Sequence, residues 1–68
     1  MGIRDILAAN LRRLRQEQGV SQEELAHLAH VDRTYVSSLE RGVYGATVDT
    51  LERLAGALKT EAWKLLKP

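Results

Sequence analysis

The sequence predicts an all-α fold of five short helices in a single domain. Apolar residues recur at spacings of three and four in several segments, as in amphipathic helices, and no segment alternates apolar and polar residues like a strand. Capping residues and glycines separate these segments. The 68 residues suffice for one small core, and with no cysteine that core depends on packing without disulfide bonds.

Two helices are predicted at the start of the chain. The first has one apolar stripe, with spacings of four, four and three, and ends near Gly19; the stripe is Ile3, Leu7, Leu11 and Leu14. Ser21 and Glu24 then have the capping-box spacing, in which the serine oxygen accepts a backbone N–H and the glutamate reaches back. The second helix is expected from about Gln22 to Ala29. Its inward face is expected to carry Leu25, Ala26 and Ala29.

The third helix, about residues 33–40, is predicted to be short and mostly polar. Asp32 is a suitable N-cap, and Gly42 follows the last turn, where a residue with positive φ ends many helices. Only Val36 and Leu39 supply an apolar stripe that faces the core. The remaining side of the helix carries hydroxyl groups and charges, so it is free to contact something other than the core.

Two more helices are predicted after a loop that contains Gly45. Thr47 caps a fourth helix with apolar residues in the i, i+3, i+4, i+7 pattern, namely Leu51, Leu54, Ala55 and Leu58. A short fifth helix begins at Thr60 or Glu61 and ends before Pro68. It carries Ala62, Trp63, Leu65 and Leu66, which is more apolar surface than so small a core needs.

Only His30 and Val31 separate helix two from the Asp32 cap. Two residues are too few for an antiparallel hairpin and fit two helices that cross at a steep angle. The run SQEELAHLAHVDRTYVSSLERG, preceded by the arginine of LRRLRQEQGV and followed by a capped apolar helix, resembles the helix-turn-helix domain of the Cro and phage-repressor type. This is a family of bacterial and phage transcription regulators, and the resemblance covers residues 4–66.

The resemblance implies a compact five-helix bundle of the lambda-repressor type, formed by residues 1–68 and built around a central helix-turn-helix. The opening Asp-Arg-Thr-Tyr of helix three is similar to that of small members that include restriction-modification controller proteins. Three positions depart from the family pattern. His30 and Lys59 replace glycines, and Ala46 replaces a proline. His30 is therefore expected either to adopt a positive φ or to shift the turn.

The charge is nearly balanced overall but unevenly distributed. Ten basic and nine acidic residues give a net charge of +1, which does not by itself indicate a nucleic-acid ligand. Four arginines crowd the first helix against only Asp5 and Glu17; they are Arg4, Arg12, Arg13 and Arg15. One face of the protein can therefore be electropositive.

In a helix-turn-helix the second helix of the motif lies in the major groove, with its N-terminal residues on base edges. The expected base-reading residues here are Arg33, Thr34, Ser37 and Ser38. Arg33 can bond bidentately to O6 and N7 of a guanine, and Thr34 can contact a thymine methyl group. Both serines require a close backbone approach, and the alternative for each is a solvated surface position.

The resemblance also implies contacts that position the protein on double-stranded DNA. The expected phosphate contacts are Ser21, Gln22, Tyr35, Arg41 and Tyr44, at the N-terminus of helix two and around helix three. Gln22 is expected to bridge a phosphate and helix three, as the matching glutamine does in the family. Arg15 and Glu40 match positions that form an ion pair in the phage repressors, so the same pair is expected here.

We expect the protein to act as a homodimer. One monomer inserts one short helix, whereas a two-fold dimer places two recognition helices about 34 Å apart and reads an inverted repeat. Trp63, Leu65 and Leu66 are the candidates for the interface, and tryptophan is a frequent interface anchor. The alternative is that Trp63 completes the core.

The sequence argues against other classes of function. A protein-interaction module such as an antitoxin or adaptor remains the alternative, although no toxin-wrapping tail follows helix five. His27 and His30 lack a third metal ligand nearby, and no catalytic constellation, cofactor motif or ligand-sensing segment is present, so no small-molecule ligand is expected. The longest uncharged N-terminal run, residues 6–11, is too short for a signal peptide or membrane span, which predicts a cytoplasmic protein without a membrane partner.

Overall fold

Five α-helices make up the computed structural model, which describes residues 2–68. Their order is α1 (Ile3–Glu17), α2 (Gln22–Ala29), α3 (Arg33–Glu40), α4 (Val48–Ala57) and α5 (Ala62–Leu65). The described residues contain no β-strand, so the predicted all-α class and five-helix bundle are confirmed. The last helix begins after Glu61, which occupies its N-cap position.

Each of the five helices packs against at least two others. The third helix packs against α1 and α2, α2 also packs against α4, and α5 packs against α4 and α1. The recognition helix expected from the sequence, α3, and the terminal helix α5 therefore share α1 as a neighbour without packing extensively against each other.

Leucines from all parts of the bundle form one core. The fully buried side chains are Leu11, Leu25, Leu39, Leu54, Leu58, Leu65 and Val36. The inward faces predicted for α2, α3 and α4 are confirmed. The predicted stripe of α1 holds at Leu7 and Leu11, but Leu14 is only partly buried and Ile3 is 59% exposed, because Ile3 opens the helix at the rim of the bundle. Burying a leucine contributes about 1.5–3 kcal/mol, so these side chains make a large favourable contribution to folding.

Side-chain oxygens cap two helices at their N-termini, as predicted. Ser21 Oγ accepts a hydrogen bond from the backbone N–H of Glu24 at 3.0 Å, and Thr47 Oγ1 accepts one from the backbone N–H of Thr50 at 3.1 Å. The expected return bond from the Glu24 side chain is not formed within the described residues, so only half of the capping box is present. Asp32 occupies the N-cap of α3 without a side-chain cap bond.

The first four helices end in the same hydrogen-bonded turn, in which one residue adopts the left-handed conformation. That residue is Gly19 after α1, His30 after α2, Gly42 after α3 and Lys59 after α4, with φ between 58° and 73°. After α2, for example, the N–H of Val31 donates to Ala26 O at 2.9 Å and the N–H of His30 to His27 O at 3.3 Å. This is the Schellman pattern, which satisfies two of the carbonyls that a helix end leaves free. Of the two outcomes expected at His30, the positive φ is the one observed.

Arginines from other helices satisfy further carbonyls at the ends of α2 and α3. Arg53 of α4 donates from Nε to Ala29 O at 3.1 Å, and Arg12 of α1 donates from Nη1 to Glu40 O. Both bonds place a positive charge at a helix C-terminus, where the backbone dipole favours a cation. The two helices of the motif are thus held at their C-terminal ends by α4 and α1.

Side-chain amides donate to carbonyl oxygens at the ends of the last two helices. Gln18 Nε2 donates to Leu58 O at 2.6 Å, and the buried Asn10 donates from Nδ2 to Leu65 O at 2.7 Å and to Lys67 O at 3.0 Å. A short helix such as α5 has few internal hydrogen bonds of its own, so its position depends on packing and on bonds of this kind. Nothing in the helical periodicity of the sequence indicated these contacts.

The buried carboxylate of Glu40 joins three helices. Arg15 on α1 donates to it from Nε at 2.7 Å and from Nη2 at 3.0 Å, and Gln22 on α2 donates from Nε2 at 3.1 Å. The side chains of Glu40 and Arg15 are 3% and 15% exposed, so the pair is largely shielded from water. The hydrogen bond to Glu40 raises the pKa of Arg15, which keeps the guanidinium charged well above neutral pH.

Replacing Glu40 with glutamine should lower the free energy of unfolding by about 3 kcal/mol, because a partly buried Arg15 loses its counter-charge. Glu17→Gln is the matched control. Glu17 pairs with Arg13 at 3.6 Å with both side chains more than half exposed, and its loss should cost less than about 1 kcal/mol. Urea denaturation of both variants measures the difference. Equal stabilities for the two variants would contradict the assigned role of Glu40.

His30→Gly should stabilise the protein by about 1 kcal/mol, because a side chain in the left-handed region costs roughly that much and glycine does not pay it. Ala9→Gly serves as the control, since Ala9 is exposed inside α1 at ordinary helical angles, and it should destabilise by about 1 kcal/mol. Thermal and urea unfolding report both values. A loss of stability in His30→Gly would show that the imidazole makes a compensating contact.

Candidate nucleic-acid interface

The start of α3 is exposed. Arg33 and Thr34, in its first turn, are both exposed, and neither side chain has a hydrogen-bond partner within the described residues. Val36 and Leu39 are fully buried on the opposite side and attach the helix to α1 and α2. The helix therefore presents a guanidinium and a hydroxyl group on a rigid support.

The two serines that were also expected to read bases differ in exposure. Ser37 is partly exposed, but Ser38 is only 5% exposed. The expectation that Ser38 lies on the exposed face is wrong, because the chain turns back after α3 and covers it: the N–H of Val43 donates to Ser38 O at 3.0 Å, and Arg41 Nη2 donates to Ser38 Oγ at 3.3 Å. Ser38 belongs to the support of α3, and the exposed set is reduced to Arg33, Thr34 and Ser37.

The N-terminus of α2 lies next to α3 through Gln22. Its amide donates to the Glu40 carboxylate at 3.1 Å. Of the two contacts expected of Gln22, with helix three and with a phosphate, the one with helix three is therefore present. The side chain of Gln22 stays partly exposed, and the hydroxyl group of Ser21 is exposed while it caps the helix. Free backbone N–H groups and the positive end of the helix dipole at this point favour an anion.

The other expected phosphate contacts lie on α3 and in the segment that follows it. Tyr35 is partly buried against the core, and its hydroxyl group donates to Gly45 O at 3.4 Å in the following loop. Arg41 is exposed, and its Nε donates to Ser37 O at 3.4 Å. Tyr44, in the loop after α3, is 56% exposed. These side chains add hydrogen-bonding groups to α3 and to the segment after it.

One contact of this loop was not predicted from the sequence. Arg4, on the first turn of α1, donates from Nη1 to Val43 O at 3.4 Å, so the loop after α3 is tied to α1. The Asp5 side chain lies just as close: a Cβ atom on Gly42 would come within 2.9 Å of its Oδ1 atom. Its positive φ of 73° favours glycine at position 42, and a larger side chain there would also have to displace the exposed Asp5 carboxylate.

The three candidates for a dimer interface occupy different environments. Leu65 is fully buried, so its assignment to an interface is wrong; it points into the core because α5 needs one anchoring side chain against α1 and α4. Leu66 is partly buried, and Trp63 is 56% exposed. Trp63 therefore does not complete the core, which was the alternative expected from the sequence.

Within residues 2–68, no group of three or more histidine, cysteine, aspartate or glutamate side chains is arranged to hold a metal ion. No helix in this part of the chain is long and apolar enough to cross a membrane.

Known proteins share both the sequence and the fold. The model of the helix-turn-helix family matches residues 11–62. The chain is 46% identical over 66 residues to the control protein C.SmaI of Serratia marcescens, covering 97% of this chain and 79% of that protein. It is also 44% identical over 66 residues to a hypothetical transcription factor of Neisseria meningitidis, and it spans 62% of that protein's length.

A solved structure gives the same result. The restriction-modification controller protein C.AhdI of Aeromonas hydrophila superposes with a TM-score of 0.88 at 39% sequence identity, over 91% of this chain and 94% of that one. A family match over most of the chain, relatives at this level of identity and a shared fold agree with the exposed start of α3. The chain therefore belongs to the helix-turn-helix family of DNA-binding transcription regulators, in its Cro and phage-repressor branch.

Proposed function

We propose that the protein is a sequence-specific transcriptional regulator that binds an inverted-repeat operator as a homodimer, with α3 in the major groove. The observation that carries this proposal is the division of α3 into two sides. One side is fixed by Val36, Leu39 and the Glu40 carboxylate, and the other exposes Arg33 and Thr34. A reading helix needs this combination, since its exposed groups must be held in one position to distinguish bases.

Arg33 is the proposed guanine reader, because the guanidinium can bond bidentately to O6 and N7 in the major groove. Thr34 is proposed to contact an adjacent base, and Ser37 to contribute where the DNA comes close to the helix backbone. Ser38 is excluded from this set because it is buried. The remaining contacts are proposed to bind phosphates and to set the register on the duplex; they are Ser21, Gln22, Tyr35, Arg41 and Tyr44.

The dimer follows from the small number of contacts in one subunit. One monomer inserts one helix of eight residues and carries a net charge of only +1. Two subunits related by a two-fold axis double both base and phosphate contacts and read the two halves of an inverted repeat. Occupation of such a site next to a promoter can exclude polymerase or assist it, and either outcome is compatible with the same geometry.

Selection of bound fragments from random DNA should recover an inverted repeat whose half-sites lie about one helical turn apart, because a two-fold dimer places its recognition helices about 34 Å apart. Sedimentation of the protein on the selected duplex checks that two subunits bind. Recovery of single half-sites bound by a monomer would contradict the dimer. Recovery of no preferred sequence would favour a protein-interaction role instead.

Arg33→Ala should weaken binding to the selected site by about 1–3 kcal/mol per half-site and relax the preference at one base pair. Arg41→Ala is the contrasting variant. As a phosphate contact, Arg41 should weaken binding to all sequences alike and reduce the salt dependence of the affinity. Fluorescence anisotropy at several salt concentrations measures both effects, and thermal melting confirms folding. Unchanged affinity and specificity in folded Arg33→Ala would exclude it as a reader.

A further inference from the structure

Arg4, on the first turn of α1, lies against the loop between α3 and α4. Its Nη1 atom donates to Val43 O at 3.4 Å, and a Cβ atom on Gly45 would lie 3.4 Å from its Nε atom. The guanidinium therefore runs along the backbone on either side of Tyr44. Because Arg4 and Tyr44 are both exposed, a large ligand that contacts the tyrosine can also approach the guanidinium.

Arg4 differs from the other arginines of α1, which are used within the bundle. Arg12 and Arg15 both donate to Glu40, the first to its backbone carbonyl and the second to its carboxylate. Arg13 pairs with a glutamate one turn further along α1 at 3.6 Å. Neither ion pair within residues 2–68 includes Arg4, and its one hydrogen bond there is the long one to the loop. Most N–H groups of its guanidinium are therefore available to an acceptor outside the protein.

The loop that Arg4 contacts begins with a second exposed arginine. Arg41 occupies the C-cap of α3. The N–H of Val43 donates to a carbonyl of α3 at 3.0 Å, so the loop is fixed to the end of that helix. Asp5 supplies one negative charge beside Gly42. Two cations against one anion make this end of the loop electropositive, which favours an anionic ligand.

We propose that Arg4 binds a DNA phosphate, so that the DNA-binding surface extends from the helix-turn-helix onto the first turn of α1. This inference rests on the proposed function, which places Tyr44 and Arg41 on phosphates of the same duplex. A strand that reaches Tyr44 passes next to the guanidinium that runs along the same loop. The bond to Val43 O positions the planar guanidinium, and its remaining N–H groups donate to phosphate oxygens, a geometry that arginine supports better than lysine.

Two other roles for Arg4 predict different results. As a tether alone, it fixes the loop through Val43 O and adds no charge to the DNA contact. As part of the apolar groove that Ile3, Val48 and Leu66 also line, it contacts a second protein. Only a phosphate contact releases a counterion from the DNA and so makes the affinity depend more steeply on salt. The salt dependence of binding therefore distinguishes the three roles.

Arg4→Gln and Arg4→Lys separate the charge from the hydrogen bond. Glutamine keeps an amide donor for Val43 O and lacks the charge, whereas lysine keeps the charge. Arg13→Gln is the matched control, because it removes the same charge from an exposed position about two and a half turns further along α1, on its opposite side. Phosphate contacts carry no sequence information, so a mixed-sequence duplex is a sufficient probe. Fluorescence anisotropy at several salt concentrations gives the slope of log affinity against log salt.

In Arg4→Gln, this slope should become less steep by about 0.9 for each subunit bound. Arg4→Lys should keep most of the wild-type slope, and Arg13→Gln should change it little. Sedimentation on the duplex checks that the number of bound subunits is unchanged, and thermal melting checks folding. The inference is overturned if folded Arg4→Gln keeps the wild-type slope, if Arg13→Gln or Arg4→Lys lowers the slope equally, or if fewer Arg4→Gln subunits bind.

The wild-type protein separates this inference from the function on which it rests. A wild-type protein that binds no duplex at any salt concentration would refute the DNA-binding function proposed above. A wild-type protein that binds with a steep slope, shared by Arg4→Gln, would refute only the role of Arg4.

Discussion

The position of α3 depends on the buried carboxylate of Glu40. That carboxylate accepts two hydrogen bonds from Arg15 and one from Gln22, so α1, α2 and α3 meet at a single group with 3% exposure. A charge in such a place is tolerable only when its partners are present, and this makes the geometry specific as well as costly to disturb. Val36 and Leu39 provide attraction to the core, but apolar contacts alone allow a short helix to slide and rotate. The ion pair defines where the helix ends and hence where its exposed first turn lies.

The ends of the helices follow a common physical rule. Each helix leaves carbonyl groups without partners, and a small bundle of short helices has many such ends for its size. The Schellman turns after α1 to α4 satisfy part of this requirement within the local chain. Side chains from distant segments satisfy more of it, with Arg12 at the end of α3, Arg53 at the end of α2 and Asn10 at the end of α5. These bonds convert the ends of helices into tertiary contacts, which helps so short a chain to hold one arrangement.

The function follows from what this framework leaves exposed. Arg33 and Thr34 are available at the start of α3 because the other side of the helix is fully used by packing and by the ion pair. Ser38 is unavailable for the same reason, since the returning loop needs its carbonyl and covers its hydroxyl group. Gln22 connects the two helices of the motif, because its amide donates a hydrogen bond from the N-terminus of α2 to the Glu40 carboxylate on α3.

Local patterns determined the secondary structure and most of the core. The apolar spacing of α2 and α4, the caps at Ser21 and Thr47, and the glycines after α1 and α3 are properties of short segments, so they could be predicted without knowing the fold. The departures at His30 and Lys59 were also visible, because a helix end of this kind needs a positive φ whatever residue supplies it. Prediction was less successful where exposure depended on the return of the chain: Ile3 lies at the rim, Ser38 is covered by a loop, and Leu65 points inward.

The sequence by itself thus determined the all-α class and the helix-turn-helix, and it indicated which residues to propose as DNA contacts. Only the tertiary structure decided which of those residues are accessible, which side chains satisfy the helix ends, and that Trp63 is exposed while Leu65 is buried. The physical reason is the range of the interactions. Periodicity and capping act within one or two helical turns, whereas Asn10 reaches Leu65 and Arg53 reaches Ala29 across the bundle. Contacts of that kind exist only after the core has brought distant segments together.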